Sequence, residues 1–178
     1  MMKPNRLTTL RLILLFFVIV SDFLHFYYLA ILFILLSFLT DHLDGYIARR
    51  YNKSSDIGIY YDHFVDKIFV HLLLIYYLSQ NLVSFWIVAL LILRDYCALG
   101  LRQYAVSHSH VMPSVLSGKI KLISQGVLLV LLALTRIISI PSSIIVGLST
   151  LVVVWSFISL IDMGLKNKTL IKQLWKEL

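Results

Sequence analysis

The segment DHLDGYIARRYNKSSDIGIYYDHFVDK, residues 41–67, separates two long apolar runs and contains five of the nine acidic residues of the chain. Asp41 and Asp44 are three residues apart, and Asp62 and Asp66 are four residues apart. Residues with either separation lie on the same face of an α-helix. The segment therefore predicts two antiparallel neighbouring helices, joined by a short loop, whose carboxylates converge at one end of the fold.

Apolar residues also dominate the rest of the chain, which is 178 residues long and 60% hydrophobic. The mean hydropathy of +0.88 is well above that of soluble domains, and repeated apolar runs of this length are typical of membrane helices. We therefore predict an all-α integral membrane protein that forms a single domain over residues 1–178. Its six transmembrane helices are expected at residues 7–22, 25–49, 58–79, 83–106, 116–137 and 142–162.

The positions of the basic residues predict how these helices are oriented. Lys and Arg lie close to one set of helix ends, whereas Arg136 is the one basic residue near the opposite set. By the positive-inside rule, both termini are cytoplasmic, and the net charge of +7 suits anionic lipid headgroups. The basic residues are scattered among the apolar runs, which argues against binding to nucleic acid.

The two ends of the chain and its one cysteine each need an interpretation. The first twenty residues are similar to a signal peptide, but small residues suited to cleavage are missing, so we expect a retained first helix. Residues 165–178 carry an apolar stripe beside lysines, which fits either an interfacial helix or a solvated tail. Cys97 allows no disulfide within the chain and is expected to pack within a helix.

Four carboxylates that face one another repel, unless a cation lies among them. Oxygen ligands without cysteine suit Mg²⁺, or alternatively Mn²⁺. The alternative is that the aspartates are helix-end carboxylates in water that pair with Arg49, Arg50 and Lys67, which fits one or two aspartates better than four. Nearby histidines, His63 and His71, are expected to be packing or interfacial residues.

Small residues accompany the carboxylates. Gly45 and Ala48 leave room for a flat ring or a phosphate beside the acidic face, and Arg49 supplies a positive charge. Any one of these residues alone is equally consistent with plain helix packing. Together with the aspartates and Gly58 they form the pattern D-x-x-D-G-x-x-A-R-x8-G-x-x-x-D-x-x-x-D, which runs from Asp41 to Asp66.

This pattern matches in full the signature of the CDP-alcohol phosphotransferase family, integral membrane enzymes of phospholipid synthesis, so the chain resembles that family. The resemblance implies two Mg²⁺ ions held by four aspartates: Asp41, Asp44, Asp62 and Asp66. It further implies that Asp66 is also the catalytic general base, and that CMP is the leaving group. The implied nucleotide and diphosphate site comprises Asp44, Gly45, Ala48, Arg49 and Gly58.

Two further segments resemble the phosphatidylglycerophosphate synthases of this family. PNRLTTLR, residues 4–11, is similar to an amino-terminal pattern of bacterial members, and residues 93–125 contain an Arg-Asp pair, a Gly-Leu-Arg and a Gly-Lys-x-Lys stretch that ends in Gln. Leu122 replaces the usual Thr, and DHFVDK replaces the common D-P-x-A-D-K. Independently of the resemblance, Arg94 and Arg102 are eight residues apart and so lie near one helical face, and Lys119 and Lys121 begin the next span. These four cations at one cytoplasmic pocket are expected to bind the phosphate of the acceptor.

The resemblance implies transfer of a phosphatidyl group from CDP-diacylglycerol to glycerol 3-phosphate by a homodimer in the bacterial inner membrane, with the active site on the cytoplasmic side. Inositol phosphate would satisfy the same cations, so phosphatidylinositol phosphate synthase, or a family enzyme with another acceptor, is an alternative. Alternatively, Arg94 pairs with Asp95 or Asp62 instead of a phosphate. The lysines could likewise serve only as anchors at the membrane interface. A cation transporter is the alternative from another class, but it predicts carboxylates near mid-bilayer rather than at one end.

Overall fold

The computed structural model describes residues 4–51, 56–108 and 116–168, with side chains described for residues 9–40, 64–108 and 116–168. These ranges form six α-helices and no strand, which confirms the all-helical prediction: α1 (Pro4–Phe23), α2 (Tyr27–Tyr51), α3 (Asp56–Ser79), α4 (Phe85–Ser107), α5 (Leu116–Leu134) and α6 (Ser142–Lys166). The predicted interfacial helix at 165–178 lies mostly outside the described residues.

The observed helix ends are within a few residues of the predicted ones. The largest overshoot is in the fifth helix, which was expected to reach residue 137 but ends at Leu134. The backbone N–H groups of Arg136 and Ile137 donate to the carbonyls three residues before them, at 3.1 and 2.9 Å. Such bonds close a tight turn rather than continue an α-helix, so hydropathy alone placed this end too late.

Contacts at two levels show that α1 and α3 are parallel. Arg11 forms an ion pair with Asp66 near the beginnings of these helices, and Tyr76 donates a hydrogen bond of 2.7 Å to Asp22 near their ends. The two contacts are about three helical turns apart on both helices. We call these two levels the Asp66 end and the Asp22 end of the bundle.

The remaining helices alternate in direction, because only a few residues separate each helix from the next. Lys121, near the beginning of α5, contacts Asp95 of α4, whereas Arg136, just after α5, contacts Asp22. Helices α1, α3 and α5 therefore begin at the Asp66 end, and α2, α4 and α6 end there. The first and last described residues consequently lie at the same end of the bundle, the Asp66 end. The helix ends that carry the predicted site residues lie at this end as well.

Helix α3 is central to the packing and contacts α1, α4 and α5. Its buried face carries Phe69, Leu73 and Tyr77, none more than 1% exposed, at the three- and four-residue spacing of a helix. The ring of Phe69 lies 6.2 Å from the ring of Phe38 on α2. The core therefore joins α2 and α3, the two helices that contain the four aspartates.

Apolar side chains also cover much of the outside of the bundle. Phe16, Trp86, Ile123 and Leu151 are each more than 60% exposed. Helices α5 and α6, with mean hydropathies of 1.6 and 2.5, are long and apolar enough to cross a membrane, and residues 27–40 form a shorter apolar stretch. An exterior of this kind suits lipid. Cys97 is exposed on it, so its prediction as a packing residue was wrong: hydropathy does not tell which face of an apolar helix points outwards.

A cluster of charged and polar side chains lies at the Asp22 end. Asp22 is 1% exposed, and its Oδ2 accepts hydrogen bonds from the Tyr76 hydroxyl at 2.7 Å and from Arg136 Nη2 at 3.1 Å. Arg136 also donates to Gln80 Oε1 at 3.1 Å and lies over the Tyr27 ring, 5.4 Å from its centroid. This Asp22 cluster links α1, α2, α3 and the residues after α5 at the end opposite the predicted site.

Candidate active site

A cavity of about 260 Å³ lies towards the Asp66 end, between α3, α4, α5 and α6. It is lined by all four predicted acceptor-binding residues, Arg94, Arg102, Lys119 and Lys121. The predicted general base, Asp66, lines the same cavity, as do Lys67 and Asp95. Helix packing thus brings together charged residues that are separated by more than fifty positions in the sequence.

Asp95 is the most heavily contacted carboxylate of this cavity. Lys121 Nζ lies 2.5 Å from Asp95 Oδ1 and 2.7 Å from Oδ2. Arg94 Nη1 donates to Oδ1 at 2.9 Å, and His71 Nε2 is 3.2 Å from Oδ2. All four side chains of this Asp95 network are less than 10% exposed. His71 is thus buried, as a packing residue would be, but it also has a polar partner, which the sequence did not indicate.

Arg94 uses all three of its nitrogens within the protein. Besides its bond to Asp95, its Nε donates to the Ser156 carbonyl at 2.7 Å and its Nη2 to Ser159 Oγ at 3.0 Å. These bonds fasten α4 to α6 in the wall of the cavity. The Arg94–Asp95 pairing is the alternative that the sequence left open for Arg94, and binding of an acceptor phosphate by Arg94 stays a prediction.

Three other cations line the cavity and have no carboxylate partner among the described side chains. Lys67 Nζ donates to the backbone carbonyl of Asp95 at 3.1 Å, which leaves two of its three N–H groups available. Lys119 is exposed. Arg102 Nε is buried, with no hydrogen-bond partner in the described part of the chain. These three side chains are therefore better placed to accept an anion than the two that contact Asp95.

Asp66 is the one predicted metal ligand whose side chain the structure describes. Its carboxylate pairs with Arg11, and the two side chains are 22% and 3% exposed. Among the described side chains, no three His, Cys, Asp or Glu residues form a group that could hold a metal ion. Asp66 itself is a carboxylate oxygen donor in the cavity wall, which is the type of ligand that a hard cation such as Mg²⁺ prefers.

The other residues of the D-x-x-D-G pattern are placed by backbone alone. Asp41 and Asp44 lie near the end of α2 and Asp62 lies near the beginning of α3, so all three are at the Asp66 end of the bundle. Their side chains fall outside those described, as do the side chains of Ala48 and Arg49; Gly45 and Gly58 fall in the same part of these helices. Their roles in metal and nucleotide binding remain predictions.

Sequence reasoning did not include several residues of the site. Arg11 was counted as a basic residue near the membrane surface, and Lys67 was considered only as a partner for the aspartates. Asp95 and Gln125 were noted only as parts of family motifs, Asp95 also as a possible partner of Arg94, and Ser159 was not considered, although all three line the cavity. A general signal was present, because a polar side chain within an apolar membrane helix is costly unless it has a partner. This cost indicates that a polar residue in a membrane helix has a partner, but it does not indicate which residue that partner is.

Comparison with known proteins adds independent information. The model of the CDP-alcohol phosphatidyltransferase family matches residues 1–160. Three curated relatives carry the name CDP-diacylglycerol--glycerol-3-phosphate 3-phosphatidyltransferase. The Bacillus subtilis protein is 36% identical over 96 residues, which are 54% of this chain and 49% of the relative. The Wigglesworthia glossinidia brevipalpis protein is 37% identical over 108 residues, which are 57% of this chain and 58% of the relative.

The Salmonella choleraesuis protein matches a longer stretch, with 30% identity over 135 residues, which are 71% of this chain and 73% of the relative. The chain covers about half the length of the Bacillus and Wigglesworthia proteins, 49% and 58% respectively. The matches therefore show which proteins this chain is similar to, over part of their length.

Proposed function

The chain belongs to the CDP-alcohol phosphatidyltransferase family, and we propose that it transfers the phosphatidyl group of CDP-diacylglycerol to glycerol 3-phosphate. The products would be phosphatidylglycerophosphate and CMP. The names of the Bacillus, Wigglesworthia and Salmonella relatives describe this reaction. The observation that carries the proposal is the cavity at the Asp66 end, where a carboxylate suited to act as a base lies among cations suited to bind a phosphate.

The charges of the cavity favour an anionic acceptor. Its wall contains five basic residues and two acidic ones, and of the five basic residues only Arg94 and Lys121 pair with Asp95. Lys67, Arg102 and Lys119 retain their positive charge for a ligand, and phosphate accepts charge-assisted hydrogen bonds from such groups. Inositol has no charge and would leave these cations without an anion, and serine offers only a carboxylate next to its own ammonium group. Inositol phosphate would satisfy them as well, which keeps phosphatidylinositol phosphate synthase as the second candidate.

In the proposed reaction Asp66 accepts the proton of the acceptor hydroxyl as it attacks the phosphorus next to the diacylglycerol. Arg11 holds the Asp66 carboxylate in place at the cavity wall. The family is generally metal-dependent, and the four aspartates would hold two Mg²⁺ ions, or Mn²⁺, which neutralise charge on the pyrophosphate when bound. The cytidine and diphosphate would lie along Asp44, Gly45, Ala48, Arg49 and Gly58.

The proposed setting is the bacterial inner membrane, with six spans, cytoplasmic termini, a cytoplasmic active site and a homodimer. The apolar exterior of the bundle and the alternating helix directions support the spans, and the basic residues at the Asp66 end support the orientation. Between the Asp95 network and the Asp22 cluster, the core includes apolar residues such as Leu73, Leu128 and Leu129. An apolar core there favours an enzyme over a cation transporter, which needs a polar route through the bilayer.

Labelling of single cysteines tests the orientation. In a Cys97→Ala background, a cysteine at Asn81 lies at the Asp22 end and one at Ser107 lies towards the Asp66 end. A membrane-impermeant maleimide added to intact spheroplasts should label position 81 and should label position 107 only after permeabilisation. The reverse pattern would contradict cytoplasmic placement of the active site. Chemical cross-linking of the purified protein tests the homodimer.

Release of CMP tests the reaction itself. Purified protein with CDP-diacylglycerol and Mg²⁺ is offered glycerol 3-phosphate, inositol phosphate, inositol or serine in separate reactions, and glycerol 3-phosphate should give the fastest release. Asp66→Asn should lower that rate by about 10²-fold or more, the contribution typical of a general base. Asp162→Asn is the matched control, because Asp162 lies at the same end but pairs with Lys166 rather than lining the cavity. Preference for another acceptor, or normal rates with Asp66→Asn, would overturn the proposal.

A further inference from the structure

One uncharged polar side chain in the cavity wall has an amide nitrogen without a partner among the described residues. Gln125 lies on α5, one helical turn beyond Lys121, and is only 2% exposed. Its Nε2 has no hydrogen-bond partner among the described residues, although the side chain forms part of the cavity wall. A buried amide group without a partner is destabilising, because it has lost its hydrogen bonds to water. Such a group in a cavity wall calls for a ligand that completes its hydrogen bonds.

The position of Gln125 on α5 relates it to the cations. Gly118, Lys121, Leu122 and Gln125 follow the spacing of one helical face, and all four line the cavity. Gln125 lies about 6 Å further along the helix than Lys121, in the direction of the Asp22 end. Gln125 and the cations line one cavity of about 260 Å³, so a ligand whose phosphate is held by the cations can also contact the amide.

The chemistry of an amide indicates which group it recognises. A glutamine side chain is both a donor and an acceptor and has no charge, so it matches a hydroxyl group, which is likewise both. A phosphate is better served by the neighbouring cations. In glycerol 3-phosphate, the hydroxyl at the end away from the phosphate is the one that attacks, next to Asp66. The second hydroxyl, on the middle carbon, is left for another partner.

We infer that Gln125 hydrogen-bonds this non-reacting hydroxyl and so makes the cavity selective for a phosphorylated polyol. The inference rests on the proposed function and adds a residue that determines acceptor specificity. A site built to bond a hydroxyl rejects an analogue that lacks it, because the buried polar group is then left unpaired. With Gln125 present, an acceptor without the middle hydroxyl should therefore react poorly.

The test compares two acceptors that differ in one hydroxyl. Glycerol 3-phosphate and 3-hydroxypropyl phosphate share the phosphate and the attacking hydroxyl, but the second compound has no hydroxyl on its middle carbon. Wild-type protein should prefer glycerol 3-phosphate by about tenfold or more in kcat/KM, the factor expected for one buried hydrogen bond. In Gln125→Leu the preference should fall below about threefold. The matched control is Gln103→Leu, an exposed glutamine on α4, which should retain the wild-type preference.

Heat stability separates recognition from a structural role. Leucine has no polar group to leave unpaired, so substrate-free Gln125→Leu should unfold at the same temperature as wild type or a higher one. Gln125→Met provides a second variant of similar length if Gln125→Leu does not fold, and it should show the same loss of preference. An equal loss of rate with both acceptors, or an unchanged preference, would overturn the role of Gln125. A wild-type protein that releases no CMP with glycerol 3-phosphate would instead overturn the proposed function.

Discussion

Asp95→Asn is the substitution whose cost follows most directly from the structure. Asp95 is 3% exposed and is the carboxylate that Lys121 and Arg94 contact in the cavity wall. Asparagine has nearly the same shape but no charge. The substitution therefore leaves two buried cations, 6% and 7% exposed, without an anion, and it removes an acceptor from the hydrogen bonds that join α3, α4 and α5.

The expected loss of stability is about 3 kcal/mol, because breaking a buried ion pair by removing one partner typically costs about 3–5 kcal/mol and asparagine retains one oxygen acceptor. For a chain of this length, that corresponds to a fall of roughly 6–12 °C in Tm. Asp162→Asn is the control, since Asp162 and Lys166 form an i,i+4 pair whose side chains are 31% and 58% exposed, and asparagine keeps an oxygen that can accept the hydrogen bond of the Ser117 hydroxyl. Solvent screens such a pair, so this variant should unfold close to the wild-type temperature.

The measurement is the fraction of protein that remains monodisperse in size-exclusion chromatography after heating in detergent. A double variant, Asp95→Asn with Lys121→Gln, should be less destabilised than the sum of the single variants, because the second change removes one of the unpaired cations. The argument for a buried charge network is refuted if Asp95→Asn and Asp162→Asn lower the unfolding temperature by the same amount. It is equally refuted if the two changes in the double variant are additive.

Two further predictions concern other parts of the bundle. Tyr76→Phe should lower the free energy of unfolding by about 1.5–3 kcal/mol, because it removes a hydrogen bond of 2.7 Å to the charged Asp22. Tyr77→Phe should leave the stability unchanged or raise it, because the Tyr77 hydroxyl is buried with no partner in the described part of the chain. Equal unfolding temperatures for these two variants would contradict the assignment. Gly147→Ala should stabilise α6 by roughly 0.5–1 kcal/mol, since no atom lies within 4 Å of the added Cβ. Gly126→Ala should raise the stability less than Gly147→Ala does, or lower it, since its Cβ would lie 3.1 Å from a phenylalanine ring of α2. A thermal melt in which Gly126→Ala is the more stable of the two variants would refute this.

The sequence was sufficient for the helices because the relevant signals are local. The length of an apolar run and the polar residues that interrupt it predict where a helix begins and ends, and all six helices were found within a few residues. The fifth helix shows the limit, because the turn after Leu134 is made of residues as apolar as the helix itself.

The candidate site was predicted in part for a similar reason. Asp66 and the four cations were identified because their spacing follows a family pattern, and the structure places all five in one cavity wall. The sequence left the partner of Arg94 undecided between a neighbouring carboxylate and a phosphate, and it gave no indication that Lys121 and His71 also contact Asp95. These contacts join side chains of three helices, and no local pattern records them.

What the sequence determined by itself is therefore the helical architecture, the end of the bundle at which the chemical residues collect and the family to which they point. What only the tertiary structure decided is which charges neutralise each other within the protein and which remain for a ligand. The physical reason is that helix periodicity is set by backbone geometry within a few residues, whereas the rotation of each helix about its axis is set by packing against its neighbours. That rotation determines that Asp95 contacts Lys121 and that Gln125 lines the cavity.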